Sequence, residues 1–291
     1  MERSPVVDEF AKRHVVEIGN ARVCYRKAGR GPVLVLLHGF PLSGLTWRKM
    51  IPALAQRFTC YALDLMGLGE STSLDAADLS SAGQATVFQR ALAAQGVTSF
   101  ALLGNDTGGW IARELALLDP ARVTHLALMN TEIPGHRPPW IPFYQSVAGL
   151  PGSSFVFRRM LASRSIRRSA MGFGGCFSNL DLIDGEFADV FLAPIQASPE
   201  RLASLFLFLQ QMKFQRLDHF RELHGKLTMP VGFLWAADDP TFPEPIARGM
   251  VSQFPNVINF WSIPNAKLFM QEERPDAVAE LALEFLEMTS S

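Results

Sequence analysis

The stretch from Leu102 to Trp110 places one carboxylate where it could act as a nucleophile. The apolar run 100–103 is typical of a buried strand, and residues 111–118 have helical spacing. Between them, Gly104-Asn105-Asp106-Thr107-Gly108 has the glycines that a sharp strand-to-helix turn requires, and such a turn lifts its central side chain clear of the sheet. Asp106 is therefore a candidate nucleophile. The alternative is that Asp106 is a helix N-cap, a common role of Asp.

The elements that must position Asp106 follow a regular alternation. Short apolar runs at Val33–Leu37, Phe58–Leu63 and Val123–Met129 are typical of strands buried on both faces of a sheet, and helical segments separate them. A β-hairpin, Val15–Ile18 with Arg22–Arg26, precedes them. This alternation predicts an α/β fold with a mostly parallel central sheet flanked by helices, and with ligands at the carboxyl ends of the strands.

The alternation stops after Asn130 and resumes at Pro230–Trp235, followed by a strand at Val257–Trp261 and a closing helix at Pro275–Met288. Residues 134–228 contain Pro-rich turns and helical runs but no strand–helix unit. We therefore predict a core formed by residues 1–133 and 229–291, with residues 134–228 inserted as a helical lid (cap). An arginine cluster in the lid is interpreted as a solvated helix face, with an anion site as the alternative (Arg158, Arg159, Arg164, Arg167 and Arg168).

The composition excludes several function classes. With 291 residues, a net charge of −1 and 48% hydrophobic residues, the chain gives no sign of nucleic acid or a membrane as its partner. The N-terminus lacks an apolar signal core, and three scattered cysteines fit reduced thiols, so we expect a cytoplasmic protein. No spacing suggests a metal site, and we expect neither metal nor cofactor. The sequence leaves the oligomeric state open.

Four motifs lie in order along the predicted core: His38-Gly39-Phe40-Pro41, then Asp64-x-x-Gly67-x-Gly69-x-Ser71, the turn at Asp106, and Trp235-x-x-x-Asp239-Pro240. Together they resemble the α/β-hydrolase fold family. An Asp nucleophile with a His-Gly-x-Pro loop resembles the epoxide hydrolase and haloalkane dehalogenase branch of that family. The resemblance covers the chain outside the lid and implies an α/β-hydrolase fold.

The resemblance implies a role for each motif. Asp106 would attack an sp³ carbon of an epoxide or alkyl halide and form an alkyl ester, with the N–H groups of Phe40 and Thr107 as oxyanion donors. A His would activate water to hydrolyse the ester, and an acid would orient that His. Asp239 is the favoured acid, and Glu132 is the alternative, because some dehalogenases carry the acid after the earlier strand.

A lid over an apolar pocket suits a small lipophilic substrate. We expect His38, Trp110, Trp140 and Tyr144 to line this pocket. The resemblance implies a structural role for His38 in its loop, and Tyr144 is the lid residue that could donate to a leaving group. Thr107 stands where related dehalogenases carry Trp or Arg, so the sequence does not name the substrate.

The His that the resemblance implies is absent. The chain reads Asn265-Ala266-Lys267-Leu268-Phe269, with matching flanks but Leu268 at the His position. Lys267 is protonated at neutral pH unless strongly desolvated, so it is a poor replacement base. We therefore expect a hydrolase of the epoxide or alkyl halide type whose ester hydrolysis is impaired. Three alternatives stay open: a non-catalytic ligand-binding homologue, an engineered inactive variant, and a lyase- or cyclase-like use of Asp106.

Overall fold

A nine-stranded sheet forms the centre of the protein. The structure is a computed structural model, and it describes residues 4–138 and 140–288. The strands are β1 (Arg13–Ile18), β2 (Ala21–Ala28), β3 (Val33–Leu37), β4 (Thr59–Leu63), β5 (Thr72–Ser73), β6 (Phe100–Asn105), β7 (Val123–Met129), β8 (Val231–Ala236) and β9 (Val257–Ile263). β3, β6 and β7 are short and almost entirely apolar, which is typical of strands that are covered on both faces.

The strands are arranged in the order β1-β2-β4-β3-β6-β7-β8-β9, and β5 pairs with β2. β1, β2 and β4 pair antiparallel, whereas every pair from β4 through β3 to β9 is parallel. The sheet is therefore mostly parallel, as predicted. β6 lies between β3 and β7, so the loops that follow these three strands meet at one edge of the sheet.

Helices cover the sheet and fill the insertion. They are α1 (Pro5–Ala11), α2 (Ile51–Leu54), α3 (Ser81–Ala94), α4 (Thr107–Leu118), α5 (Trp140–Ala148), α6 (Ser153–Ala162), α7 (Arg164–Arg167), α8 (Ala193–Ala197), α9 (Pro199–Gln211), α10 (Phe214–Asp218), α11 (Phe220–Leu223), α12 (Glu244–Val251), α13 (Met270–Glu273) and α14 (Pro275–Glu287). Short 3₁₀ segments lie at Gly44–Lys49, Ala76–Leu79, Leu180–Ile183 and His224–Lys226, with a π turn at Ala188–Leu192. Within the described residues, no helix has the length and apolarity needed to cross a membrane.

Two apolar cores lie on opposite faces of the sheet. α3 and α4 pack on one face with Phe88, Trp110 and Phe233, and α2 and α14 pack on the other with Leu34, Leu103 and Phe285. Alternate residues of β6 belong to different cores, because side chains of a strand point to opposite faces in turn. The core on the α3–α4 face continues into the insertion through lid residues such as Phe206 and Phe208.

The described part of the insertion between β7 and β8 consists of helices joined by turns. It holds α5 to α11 and no strand. The predicted strands Val33–Leu37 and Val123–Met129 have these bounds in the structure. The segment after His38 is less regular than a continuous helix: it forms a 3₁₀ turn at Gly44–Lys49 and the four-residue α2, which carries Pro52 in its first turn.

Candidate active site

Asp106 lies at the turn between β6 and α4 in a backbone conformation that is rare for a non-glycine residue. Its φ is 51° and its ψ is −132°, a region that costs roughly 1–3 kcal/mol of strain. Asp106 occupies the N-cap position of α4, yet its side chain makes no capping hydrogen bond to the helix. The helix therefore does not use the carboxyl group. This geometry favours the nucleophile interpretation over the N-cap interpretation.

The backbone N–H of Phe40 holds the Asp106 carboxyl group. It donates to Asp106 Oδ2 at 2.8 Å, and both this N–H and that of Thr107 act to lower the pKa of the carboxyl group. Gly39 permits this approach, because a Cβ at that position would lie 2.4 Å from Asp106 Cβ and 2.5 Å from Oδ2. Of the two donors that the resemblance implies, Phe40 thus hydrogen bonds to the carboxyl group directly. A fixed donor of this kind can stabilise an oxyanion that forms there.

Glu132 lies beside Asp106, just after β7. Its Oε1 accepts a hydrogen bond from the Thr107 hydroxyl at 2.9 Å, and Oε2 lies 3.0 Å from the Thr131 hydroxyl. The Arg113 guanidinium, which is fully buried, donates to the Glu132 carbonyl at 2.8 Å. Glu132 is buried and lines the same cavity as Asp106. The alternative acid of the sequence analysis therefore belongs to the wall of the site.

Asp239 is the second buried acid, and it lies just outside the cavity wall. Its Oδ2 accepts from Asn130 Nδ2 at 2.7 Å, and its Oδ1 accepts from the Thr241 N–H at 2.8 Å. The neighbouring N–H of Asp238 donates to the Ala266 carbonyl at 3.3 Å, so this loop lies against the one that carries Leu268. Glu132 thus shares the cavity wall with Leu268, whereas Asp239 lies in a loop that contacts the loop of Leu268 and does not line the cavity.

Burial raises the pKa of all three carboxyl groups. The pKa of Asp106 lies well above its usual range, because burial and then the charge of Glu132 outweigh the N–H donors of Phe40 and Thr107. Burial also raises the pKa of Glu132, against the charge of Arg113, and raises that of Asp239 to about 6. Asp106 and Glu132 titrate as a pair, so ionising one of them makes it harder to ionise the other.

Leu268 is 5% exposed and lines the cavity with Asp106. Its carbonyl accepts from Asn105 Nδ2 at 3.1 Å, which ties the loop to the residue before Asp106. Lys267 points elsewhere: its Nζ lies 3.4 Å from the Gly174 carbonyl, and it does not line the cavity. Among the described residues of the cavity wall there is no His. The wall therefore holds carboxyl groups but no imidazole that could act as a base.

A cavity of about 140 Å³ lies between the core and the lid, with Asp106, Thr107 and Glu132 in its wall. The rest of the wall is mostly apolar and includes Trp110 from the core and two predicted lid residues, Trp140 and Tyr144. An engineered apolar cavity of about 150 Å³ is known to bind benzene, so this space fits a ligand with a handful of heavy atoms. The three aromatic residues are placed as the sequence analysis expected.

Tyr144, the predicted lid donor, and Trp110, predicted only to line the pocket, differ in the availability of their polar hydrogens. The Tyr144 hydroxyl donates to the Met171 carbonyl within the lid, so its proton is already engaged. Trp110 is fully buried, its ring centroid lies 5.6 Å from that of Phe214, and its indole Nε1–H has no hydrogen-bond partner among the described residues. A buried N–H without a partner is costly, and a ligand acceptor would remove that cost. Trp110 is therefore the better candidate for a donor to a ligand.

His38 lies outside the cavity wall, which corrects its assignment to the substrate pocket. The side chain is fully buried; Nδ1 lies 2.9 Å from the Gly39 carbonyl, and Nε2 accepts from the Leu65 N–H at 2.9 Å. Burial lowers the pKa of His38 to about 4, so the ring is neutral at physiological pH. Both nitrogens serve to hold the loop that presents Phe40, in keeping with the structural role that the resemblance implies.

Two residues of the site were not identified from the sequence. Asn130, at φ 28°, donates to Asp239 and accepts from the Ala236 N–H at 2.6 Å, so it connects the loops after β7 and β8. Its place directly after a buried strand was the available signal. Cys176 reaches the cavity wall from the lid, and burial, followed by the charges of Asp239 and Asp106, raises the pKa of its thiol well above the usual range. Nothing in its sequence context indicates this position.

Comparisons with known proteins support the fold family. The family model described as the alpha/beta hydrolase fold matches residues 32–275. A fluoroacetate dehalogenase of Burkholderia sp is 32% identical over 126 residues, which are 42% of this chain and 41% of that protein. A soluble epoxide hydrolase of Corynebacterium sp. (strain C12) is 37% identical over 126 residues, 42% of each. The match thus spans about two-fifths of the length of these two curated relatives.

A solved structure supports the fold over nearly the full length. The ligand-free epoxide hydrolase CorEH superimposes with a TM-score of 0.78 and covers 94% of this chain and 98% of that chain. The sequences are 24% identical, so this likeness concerns the fold alone.

Proposed function

We propose, since this chain belongs to the alpha/beta hydrolase fold family, that it attacks a small neutral epoxide or alkyl halide through Asp106. The observation that carries the proposal is the Asp106 carboxyl group, which sits in the wall of an apolar cavity with its Oδ2 held at 2.8 Å by the Phe40 N–H. Relatives named as an epoxide hydrolase and a fluoroacetate dehalogenase support it.

The proposed step forms one bond and breaks one. A carboxylate oxygen of Asp106 bonds to the electrophilic carbon, and the carbon–halogen bond or one epoxide C–O bond breaks. The electron pair leaves with the halide, or stays on the epoxide oxygen, which then takes a proton. The hydrogen bond from Phe40 fixes the carboxyl group before attack, which removes an orientation cost from the barrier.

We assign the stabilisation of the leaving atom to Trp110. Its indole N–H lacks a partner among the described residues and belongs to a side chain of the cavity wall. A halide or an epoxide oxygen accepts such a donor. The wall also carries the Arg167 side chain, whose terminal nitrogens bind Asp184 and the Leu161 carbonyl, each at 2.8 Å. Its Nε–H, like the Trp110 indole N–H, has no partner among the described residues. Two buried carboxyl groups would repel an anionic ligand, so a neutral substrate fits best.

Release of the product is the impaired step. Leu268 occupies the position of the implied His, and an aliphatic side chain cannot accept a proton from water. Loss of a general base lowers a rate by roughly 100- to 10,000-fold. The ester on Asp106 is thus expected to persist, which makes the protein a single-turnover or very slow hydrolase.

Intact-protein mass spectrometry tests this proposal. The chain is incubated with a panel of small epoxides and alkyl halides, and the expected result is one adduct, which peptide mapping assigns to Asp106. Asp106→Asn keeps the shape of the side chain and is the matched control, in which the adduct should be absent. An adduct that survives in Asp106→Asn, or no adduct across the panel at any pH tested, would contradict the proposal.

A second candidate, a ligand-binding protein without chemistry, is favoured by the electrostatics. Burial and the charge of Glu132 raise the pKa of Asp106 well above its usual range, and a protonated carboxyl group is a poor nucleophile. The two candidates differ in their response to pH. If Asp106 attacks, adduct formation rises with pH until the carboxyl group is ionised. A binding protein retains the ligand reversibly and gives no adduct even at alkaline pH.

A further inference from the structure

The charges of this chain are segregated although their sum is close to zero. Between Glu132 and Asp181 the sequence carries six arginines and no acidic residue. The lid as a whole, residues 134–228, has eleven Lys and Arg against seven Asp and Glu. The core is therefore acidic and the lid is basic. A net charge of −1 consequently does not exclude an anionic partner for the lid.

The same part of the lid exposes large apolar side chains. Phe143, Leu150, Phe155 and Val156 are each between 48% and 69% exposed, and we call these four residues the lid patch. Phe143 lies on α5, and Leu150 lies in the turn after this helix, where its N–H donates to the Val147 carbonyl at 3.0 Å. The other two begin α6, where the Ser153 N–H donates to the Leu150 carbonyl at 3.2 Å. The patch is therefore one surface at the junction of α5 and α6.

Two unpaired cations border the lid patch. Arg158 and Arg159 are exposed on α6, and among the described residues no carboxylate lies within 4.0 Å of either. The arginines further along the lid are different, since Arg167 and Arg168 pair with Asp184 and Asp181. The exposed apolar side chains are thus combined with positive charge that no group in the described chain neutralises.

We propose that the lid patch binds the surface of an anionic lipid bilayer. Apolar side chains on a short amphipathic surface insert at the boundary of headgroups and acyl chains, and nearby arginines are attracted to anionic headgroups. A second copy of the chain fits less well. A two-fold interface would set the patch against itself and bring Arg158 and Arg159 close to their own copies.

The position of the patch relates it to the cavity. The helices that expose Phe143 and Phe155 turn other residues inward, and Tyr144 and Phe157 line the cavity wall. One layer of helices therefore separates the proposed lipid contact from the ligand space. A lipophilic ligand that partitions into a bilayer would be concentrated next to the lid. The proposal does not depend on the chemistry of Asp106.

Flotation with vesicles tests the proposal on the full chain. Vesicles of phosphatidylcholine alone are compared with vesicles of equal parts phosphatidylcholine and phosphatidylglycerol. We expect the chain to float with the anionic vesicles and to be released by salt, because exposed charges are screened. Arg158→Gln with Arg159→Gln should weaken this binding roughly thirtyfold, since each arginine near an anionic surface contributes about a factor of five.

Two further variants make the result specific. Phe155→Ser with Val156→Ser removes apolar area and should also weaken flotation, whereas Leu74→Ser with Arg30→Gln changes exposed residues of the core and should leave flotation unchanged. Thermal unfolding checks that each variant is folded. Flotation that is the same in all variants, or absent in the wild type, would overturn the proposal. So would patch-dependent dimers in sedimentation without lipid.

Discussion

Restoring an imidazole at position 268 is expected to release the ester. The change is Lys267→Gly together with Leu268→His, because the resemblance implies a Gly-His pair at these two positions. The position is well defined, because the Leu268 carbonyl is tied to Asn105 at 3.1 Å and its side chain lines the cavity with Asp106. A His there would face the same space as the ester. Glu132 and Asp239 both lie close enough to this loop to be candidates for orienting the ring.

The size of the effect follows from the role of a general base. An imidazole that takes a proton from water is expected to speed ester hydrolysis by roughly 100- to 10,000-fold. The ring must be neutral to accept a proton from water, and its surroundings determine its pKa. Burial lowers the pKa of His38 to about 4, and burial together with the charge of Arg113 lowers that of His224 to about 2. Nearby carboxylates would instead raise the pKa of a new ring. The gain should therefore be largest at neutral to alkaline pH.

The assay is the decay of the adduct on Asp106 after unbound substrate is removed, followed by intact mass. Lys267→Gly with Leu268→Gln is the matched control, since an amide can hydrogen bond to a neighbouring carboxyl group but cannot act as a base. Decay that is no faster with His than with Gln, in proteins that both form the adduct, would refute this reasoning. On the His background, Asp239→Asn and Glu132→Gln then identify the acid that orients the ring.

Three further predictions concern single residues. Gly39→Ala should lower adduct formation at least 100-fold in a folded protein, because its Cβ would lie 2.5 Å from Asp106 Oδ2 and displace the carboxyl group; a wild-type rate would contradict this. Trp110→Phe should weaken capture of halides and epoxides by about tenfold, the value of one hydrogen bond, while binding of a hydrocarbon of the same shape, measured by calorimetry, stays constant. Burial raises the pKa of Asp239 from 3.8 to about 6, so the folded state holds this proton more tightly, and the stabilisation is lost as pH rises through that range. Compared with Asp239→Asn, the wild type should lose up to about 3 kcal/mol of its free energy of unfolding between pH 4 and pH 7, as measured by denaturant unfolding. The same dependence of this free energy on pH in both proteins would contradict the prediction.

The sequence predicted those parts of the fold that rest on local patterns. Strands such as Val33–Leu37 are visible as apolar runs bounded by turns, and the bend at Asp106 is visible from its glycines. The predictions of the strands and of the bend needed only short-range geometry. The Phe40 and Thr107 donors were expected instead from the resemblance to the α/β-hydrolase fold family, since Phe40 and Asp106 are 66 residues apart in the chain.

Other parts of the site depend on contacts between distant segments. Asn130 connects to Asp239 across 109 residues, and no local pattern encodes that pairing. The availability of donors is equally non-local: Tyr144 is engaged by Met171, whereas Trp110 is left without a partner among the described residues. His38 follows the same principle, since its exclusion from the cavity results from the Leu65 N–H of a neighbouring loop. The residue types indicated which groups could act in a site. The packing of distant segments determined which of these groups are available to a ligand.

The stoichiometry of halide release tests the central claim most directly. The chain is mixed with an excess of an alkyl halide that forms the adduct, and free halide ion is measured against time at alkaline pH, where Asp106 is ionised. We predict a burst of halide release that approaches one halide per chain and then stops, because Leu268 cannot activate water. Steady release well beyond one halide per chain, at a rate that Leu268→His does not increase, would contradict the account.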